Sequence, residues 1–587
     1  MDSDTTGHRL EDYWGVGPKT RATLEDAIGR EAAVEAIEDA DIGRLVEAGV
    51  PRGRATRILR RATGGDGIDS LATRDARSVY DAILDRAVRY AVTEGARDRI
   101  RVLTPLEDRE VARERLDAVV TARDAWAQMD DAMRERVLEI FETYDDRGRD
   151  QRAAVQAVLG LQDAGVTTGP FAAVSDLDPA VISTAADALG ALGDSVDRGV
   201  DEELDRLRES HRAVEELDAS AMDVVEDVRS GGGPRDAAEF REAFVERVLT
   251  ETDVDPARIR AAAPDRAADA ADFVGEGLRT LAADLREARE EREATVRETL
   301  QSDVEGARTE IDRAVDVVEE SALALSLGRF AAAFDMTRPT VTDETTVAIE
   351  GARNLDLAAG DRAVQPVSYA LGDHETGVPT DGERVAVLTG ANSGGKTTLL
   401  ETVCQVVVMA SMGLPVPAEH AVVTTFDDVV FHRRHASFNA GVLESTLQSI
   451  VPPLTGDGRT LMLVDEFEAI TEPGSAADLL HGLVRLTVDR EAVGAFVTHL
   501  ASDLEPLPEN ARVDGIVAEG LNADLELDVD YQPRFGELGR STPEFIVSRL
   551  VANAPDRTER SGFETLAESL GQEVVQRTLS DAWDERD

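Results

Sequence analysis

The sequence predicts a multidomain α and α/β protein. Three observations carry this expectation. A stretch from about 70 to 330, rich in Ala, Glu, Asp, Arg and Leu, reads as almost entirely helical. From about 345 onward, apolar β-rich runs (RVAVLTG, TLMLVDE, AVGAFVTH) alternate with helical stretches, the signature of a parallel α/β domain. A short Gly-turned helical unit precedes both. A chain of 587 residues has room for three or four domains. Its 42% hydrophobic content is enough for packed cores, and 4% aromatics argue against an aromatic-rich β-sandwich or barrel.

In chain order, residues 1–66 form a small helical unit, and GGDGID (64–69) reads as a linker. The segment YWGVGPKTRATLEDA resembles a helix-hairpin-helix. Gly15 and Gly17 bracket a turn whose amides can face a phosphate without side-chain obstruction, and Lys19 lies just past it. EAGVPRGRATRILRRA (47–62) reads as a second, degraded copy that keeps Gly49 and replaces the second glycine by Pro51. Together they predict an N-terminal tandem helix-hairpin-helix, with a small protein-interaction bundle as the alternative. Residues 51–62 hold Arg52, Arg54, Arg57, Arg60 and Arg61 and no acid, which points to an anionic partner, DNA, at Gly15, Gly17, Lys19, Gly49, Arg52, Arg54 and Arg57.

The long all-α lever and coiled-coil arm region is expected over 70–340, with arms at about 200–320. Val200, Leu204, Leu207, His211 and Val214 step by three and four, as do Leu300, Val304, Ala307, Ile311, Ala314 and Val318. Ordinary bundle helices would show similar runs. SGGGP (230–234) must turn the chain between the arms, and His211 reads as packing.

The C-terminal P-loop α/β ATPase domain is expected over 341–541. VAVLTGANSGGKTTLLETV places Gly390, then Gly395, Lys396 and Thr397 at Walker A spacing, between a strand and a helix. Glycines let backbone N–H groups wrap a polyphosphate, and the helix start adds partial positive charge. The ATP-binding set is therefore Gly390, Ala391, Asn392, Ser393, Gly394, Gly395, Lys396, Thr397 and Thr398. Lys396 would reach the β- and γ-phosphates, and the Thr397 hydroxyl would ligate Mg²⁺. TLMLVDE ends in Asp465, expected in the Mg²⁺ shell, and Glu466, expected to orient or deprotonate the attacking water. GAFVTHL carries His499 at the strand terminus, where open sheets bind ligands; a simple capping role is the alternative.

GANSGGKTTL, the turn MGLPVPA (412–418), HASFNAGVLESTL, LVDEFEAITEP and FVTHL together resemble the MutS ATPase family, an ABC-type P-loop fold. The resemblance covers roughly 70–550 and is strongest over 385–500. It implies that Asn392 contacts the γ-phosphate and that Ser437 and Phe438 approach the partner subunit's nucleotide across a homodimer. It also implies that His499 is a switch residue and that the helices of 542–587 dimerise. Two departures stand out: Ala436 where the family has a hydroxyl residue, and Glu468-Ala469-Ile470-Thr471 where mismatch-repair members carry Arg-Gly-Thr-Ser. Residues 1–66 have no space for a mismatch-recognition domain, and Phe244-Val245-Glu246 reads as an accidental match to its wedge motif. A late Leu-Asp-x-His-Gly nuclease signature is also absent. The chain thus resembles the archaeal second MutS subfamily, which implies an ATP- and Mg²⁺-dependent ATPase with non-mismatch-specific duplex binding. A ribosome- or RNA-associated ATPase of the same family is the alternative. An SMC-like tether is excluded because both Walker motifs follow the arms.

The balance of 63 Lys+Arg against 117 Asp+Glu gives a formal charge of −54. Only Lys19 and Lys396 are lysine. Few lysines and many carboxylates resemble an extreme-halophile cytoplasmic protein, hydrated where molar salt screens charge. Such salt also weakens phosphate contacts. Arms that encircle a duplex would hold it without tight ionic contacts. Cys404 alone excludes an internal disulfide. No signal or membrane segment is read, so a cytosolic, nucleoid-associated location is expected.

Overall fold

In the computed structural model, the described residues are 9–193, 195–230, 236–360, 363–390, 395–434, 440–470, 473–521, 527–539 and 543–570. They divide into two compact units: residues 1–138, 168–170 and 319–587 in one, and 139–167 and 171–318 in the other. No helix among the described residues is long and apolar enough to cross a membrane.

The first unit opens with helices Pro18–Ile28, Arg30–Glu38, Ile42–Glu47 and Arg52–Gly64. Leu24, Ile37, Ile42, Leu45, Ile58 and Leu59 form their core. Two turns introduce the first and last of these helices. Gly15 and Gly49 occupy the left-handed region there, at φ 81° and 95°, which favours glycine. The two turns pack reciprocally. A Cβ on Gly15 would stand 3.2 Å from Ile58 of the last helix, and one on Gly49 would stand 3.3 Å from Thr23 of the first. Gly17 is the N-cap of the first helix in extended geometry, and Pro51 fills the same position for the last. Proline suits it, since a cap needs no intrahelical N–H.

The rest of this unit is built on two sheets. The strands are β1 Thr340–Thr342, β2 Val347–Ala352, β3 Val367–Leu371, β4 Val385–Gly390, β5 His420–Thr424, β6 Asp428–His432, β7 Thr460–Asp465, β8 Val493–Val497, β9 Ala511–Leu521 and β10 Leu527–Phe535. The smaller sheet runs β1-β5-β2-β3 and the larger β10-β9-β4-β8-β7-β6. In the larger sheet every pairing is parallel except that of the β9–β10 hairpin. Strands β4, β7 and β8 are buried along their whole length, as strands covered on both faces must be. Leu388 pairs with Val497, and Asp465 with Val497. The carboxyl ends of these three strands therefore finish side by side. Helix Arg74–Ala87 packs on β6, where the Thr73 hydroxyl donates to the Phe431 carbonyl at 2.7 Å. Helix Arg109–Gln128 meets Gly328 so closely that a Cβ there would lie 2.7 Å from the Ala122 backbone.

A buried ion pair joins the two sheets. The Arg512 guanidinium on β9 donates to Asp514 at 3.0 Å and to the Ala370 carbonyl of β3 at 2.6 Å. It lies between the Tyr369 and Phe535 rings, 5.7 and 5.3 Å from their centroids. The Tyr369 hydroxyl donates to the other Asp514 oxygen at 3.0 Å. Asp514 is fully buried, and its backbone carbonyl accepts from the Thr389 hydroxyl at the end of β4.

The second unit is all helical. Its longest helix, Ala270–Gly306, has 37 residues and packs with Glu202–Ala219. Phe244, Val248, Ile259, Leu278 and Leu281 form one core. Asp201 caps the Glu202–Ala219 helix and pairs with Arg292 at 2.6 Å. That hydrogen-bonded cation holds the Asp201 carboxyl down to about 2. Leu204, His211 and Val214 are buried along the expected first seam. Val200 departs from it: the residue precedes the helix and is 40% exposed, because Asp201 takes the cap and starts the helix after it. Ala307, Ile311, Ala314 and Val318 of the second seam are buried, but the helix that carries it is interrupted. One helix ends at Gly306 and the next, Arg308–Ala333, begins after Ala307, beside a glycine that weakens helix continuity. Phe244 is a core residue, packed edge-on against Phe273, so the Phe244-Val245-Glu246 triplet presents no wedge. Residues 231–235, which contain most of the expected SGGGP turn, lie outside the described residues. So do residues 571–587 of the expected dimerisation segment, whose described part forms helices Pro543–Asn553 and Arg557–Leu570.

Removing Asp514 leaves the buried Arg512 charge without its main counter-ion. Asp514→Ala is expected to destabilise the folded chain by about 3 kcal/mol, read as a lowered denaturant midpoint in high KCl.

Candidate nucleotide site and hairpin surface

The larger sheet delivers the site. Helix Lys396–Ser411 follows β4, with Gly395 as its N-cap at φ 75°. A Cβ at Gly395 would come 2.9 Å from the Tyr531 ring, so glycine is required on both counts. Ala391, Asn392, Ser393 and Gly394 lie outside the described residues, as do Ser437 and Phe438. Lys396 is 4% exposed, and its Nζ donates to the Gly390 carbonyl at 2.9 Å. Burial lowers its pKa, while the carboxylates of Glu466, Asp465 and Glu468 oppose that shift.

Across from it, the Thr397 hydroxyl donates to Asp465 Oδ2 at 2.7 Å. The other oxygen, Oδ1, is buried and has no hydrogen-bond partner among the described residues. Burial raises the Asp465 pKa, and the neighbouring Glu466 adds to it. A buried carboxylate oxygen with no partner beside a hydroxyl fits a hard divalent cation such as Mg²⁺. No cluster of three metal-binding side chains occurs among the described residues.

Glu466 follows at the strand end, with its backbone at φ 45°, an uncommon region for a non-glycine residue. Its N–H donates to the Val497 carbonyl of β8. Glu466 Oε1 lies 3.3 Å from His499 Nε2, and Oε2 lies 2.7 Å from Arg434 Nη1. Sequence reasoning assigned Glu466 and His499 and missed Arg434. Its signal was its position directly before the HASFN segment. It also gave Glu468 no role, although Glu468 was visible as a departure from the family pattern. Glu468 Oε1 accepts from the Thr498 hydroxyl at 2.9 Å and from the His499 N–H at 2.7 Å. The residue therefore fixes the backbone that carries His499. Lys396, Thr397, Thr398, Glu466, Leu357 and Tyr531 are among the residues lining a cleft of about 500 Å³.

Away from this cleft, Gly15, Gly49, Lys19, Arg52, Arg54 and Arg57 are exposed in the N-terminal unit, and Gly17 is half-buried. The arginine-rich stretch is more neutralised than its sequence suggests. Arg52 lies 3.5 Å from Asp98, Arg60 pairs with Asp81, and Arg61 pairs with Asp66 and Asp69. The carboxylates come from other segments, which the local absence of acid conceals. Arg54, Arg57 and Lys19 have no ion pair among the described residues, and Arg54 Nη2 donates to the Gly15 carbonyl at 3.2 Å.

Residues 386–452 match the family MutS domain V. The chain is 45% identical over 219 residues to the DNA-binding protein MutS2 of Pyrococcus furiosus, covering 37% of this chain and 38% of the relative. It is 27% identical over 297 residues to an Endonuclease MutS2 of Clostridium botulinum, covering 47% of this chain and 35% of the relative. A third similarity, 29% over 202 residues, is to the Endonuclease MutS2 of Thermomicrobium roseum, covering 32% of this chain and 25% of that protein. The matches thus span well under half of these relatives' own lengths. Over these stretches the chain is similar to MutS2-type proteins.

Because the folded Asp465 pKa is raised, its ionisation costs stability once the pH exceeds the ordinary carboxylate value. That cost is absent below the ordinary value and complete above the folded pKa. Asp465→Asn is therefore expected to raise the thermal midpoint of the nucleotide-free protein at neutral pH. It should also flatten the pH dependence in that window, as scanning fluorimetry at a series of pH values would read.

Proposed function

We propose that the chain is a Mg²⁺-dependent ATPase of the MutS type that binds DNA without mismatch specificity and works as a homodimer with shared nucleotide sites. The observation that carries the reading is the Thr397–Asp465 contact with its unused carboxylate oxygen, set beside Lys396 and Glu466. The P-loop amides, the helix N-terminus and Lys396 bind the β- and γ-phosphates. Thr397 and Asp465 would hold Mg²⁺, which would supply positive charge against the phosphates. Glu466 orients the attacking water and accepts its proton at a carboxylate oxygen, and His499, kept in place by Glu468, senses the γ-phosphate. Asn392 completes the γ-phosphate contacts, and Ser437 with Phe438 approaches the partner subunit's nucleotide.

The same reading assigns the hairpin unit to DNA phosphates through Arg54, Arg57 and Lys19, with Arg52 shared with Asp98. What supports it is three exposed cations without ion pairs in a chain of charge −54. The helical unit is unsuited to gripping DNA by charge, since its carboxylates far outnumber its arginines. Its arms act as a topological clamp instead, in a high-salt cytosol at the nucleoid.

In an ATPase assay at high KCl, Lys396→Ala is expected to abolish nucleotide binding. Glu466→Gln should bind ATP at near wild-type affinity with turnover reduced at least about a hundredfold. Normal hydrolysis by Glu466→Gln would remove Glu466 as the base. A clamp also predicts longer retention on closed circular duplex than on linear duplex of the same length; equal dissociation from both would rule out encirclement.

A further inference from the structure

We propose that Trp14 is a stacking platform for an unpaired base, so that the hairpin unit selects forked or junction DNA over uninterrupted duplex. The inference rests on the DNA-binding reading above and names the class of DNA that this surface prefers.

Trp14 stands in the first hairpin, directly before Gly15, and is 55% exposed. Its indole is held rather than loose. The Arg61 guanidinium lies 5.4 Å from the ring centroid. That guanidinium is itself fixed by Asp66 and Asp69, each at 2.6 Å, and its side chain is 18% exposed. A cation locked on one side of an aromatic ring orients it at low entropic cost to a ligand arriving on the open side.

The hairpin fold does not require this aromatic. The second hairpin packs reciprocally with the first and carries Ala48 before Gly49, and Ala48 is 4% exposed. One turn therefore presents a large flat apolar group to solvent where its counterpart presents none. The cations without ion pairs belong to the same surface. Arg54 bonds the Gly15 carbonyl, Arg57 is one helical turn further on, and Lys19 opens the helix after the first hairpin.

An apolar ring beside phosphate-binding cations fits a nucleobase. In the interior of a duplex the base faces are covered by their neighbours, whereas an unpaired base at a fork, flap or junction offers its face. Stacking also survives salt better than phosphate contacts, whose affinity falls steeply with ionic strength.

The test is fluorescence anisotropy of the full chain at low and molar KCl. The probes are a forked DNA with short single-stranded arms, a blunt duplex of equal length and a forked RNA. The wild type is expected to bind the DNA fork about tenfold more tightly than duplex, the order that one aromatic stack contributes, and to keep that ratio as salt rises. Trp14→Ala should bring the ratio to one, and Trp14→Phe, which keeps a ring, should retain part of it. Arg54→Ala should weaken both DNA forms together and leave the ratio intact. Unchanged circular dichroism would show that each variant is folded. An undiminished fork preference in Trp14→Ala overturns the proposal, as does tighter binding of forked RNA than of forked DNA. Wild-type binding of duplex with no preference for forks overturns it while leaving the DNA reading in place. If the wild type binds no DNA at all, both fall.

Discussion

Everything the cleft does depends on strand register. Three parallel strands, β4, β7 and β8, end at the same edge of one sheet, and a parallel ladder fixes where each chain emerges. Gly390, Asp465 and His499 are distant in sequence and adjacent only through this register. A slip of one residue would reverse the side chains of a strand relative to its neighbours. The register is held from behind: the Thr389 hydroxyl bonds β9 through the Asp514 carbonyl, and Arg512 ties β9 to the smaller sheet. The geometry of the cleft is thus set by buried contacts that lie outside it.

The electrostatics of the cleft work against the free protein. Asp465, Glu466 and Glu468 converge on a buried lysine in a chain that already carries −54. Lys396 bonds a backbone carbonyl, Glu466 engages Arg434 and His499, and one Asp465 oxygen has no partner among the described residues. Under the function proposed above, this imbalance would be relieved by the phosphates and the divalent cation that arrive with the substrate.

The candidate residues of the cleft could be named from the sequence because their pattern is local. Gly395, Lys396 and Thr397 are consecutive, and an apolar strand ending in two acids reveals Asp465 and Glu466 without any knowledge of the fold. What escaped was assembled at a distance. The pairing of Arg434 with Glu466, and the hold of Glu468 on the His499 backbone, depend on how β6, β7 and β8 lie beside one another. The same limit misled the reading of Arg52, Arg60 and Arg61. Their stretch contains no acid, yet carboxylates from other segments neutralise them. Periodicity placed the first helical seam but missed its start at Val200, where a cap residue decided the boundary. It also missed the break at Ala307, since a heptad pattern continues across a kink that the backbone does not.

The exchange of contacts between the two N-terminal turns makes the small unit indivisible. Each turn's glycine rests on the helix launched by the other, Gly15 on Ile58 and Gly49 on Thr23. Neither half is a self-sufficient module. The turn that carries Pro51 cannot be removed without uncovering the contact on which Gly15 rests. The two halves therefore stand or fall together, each the floor of the other.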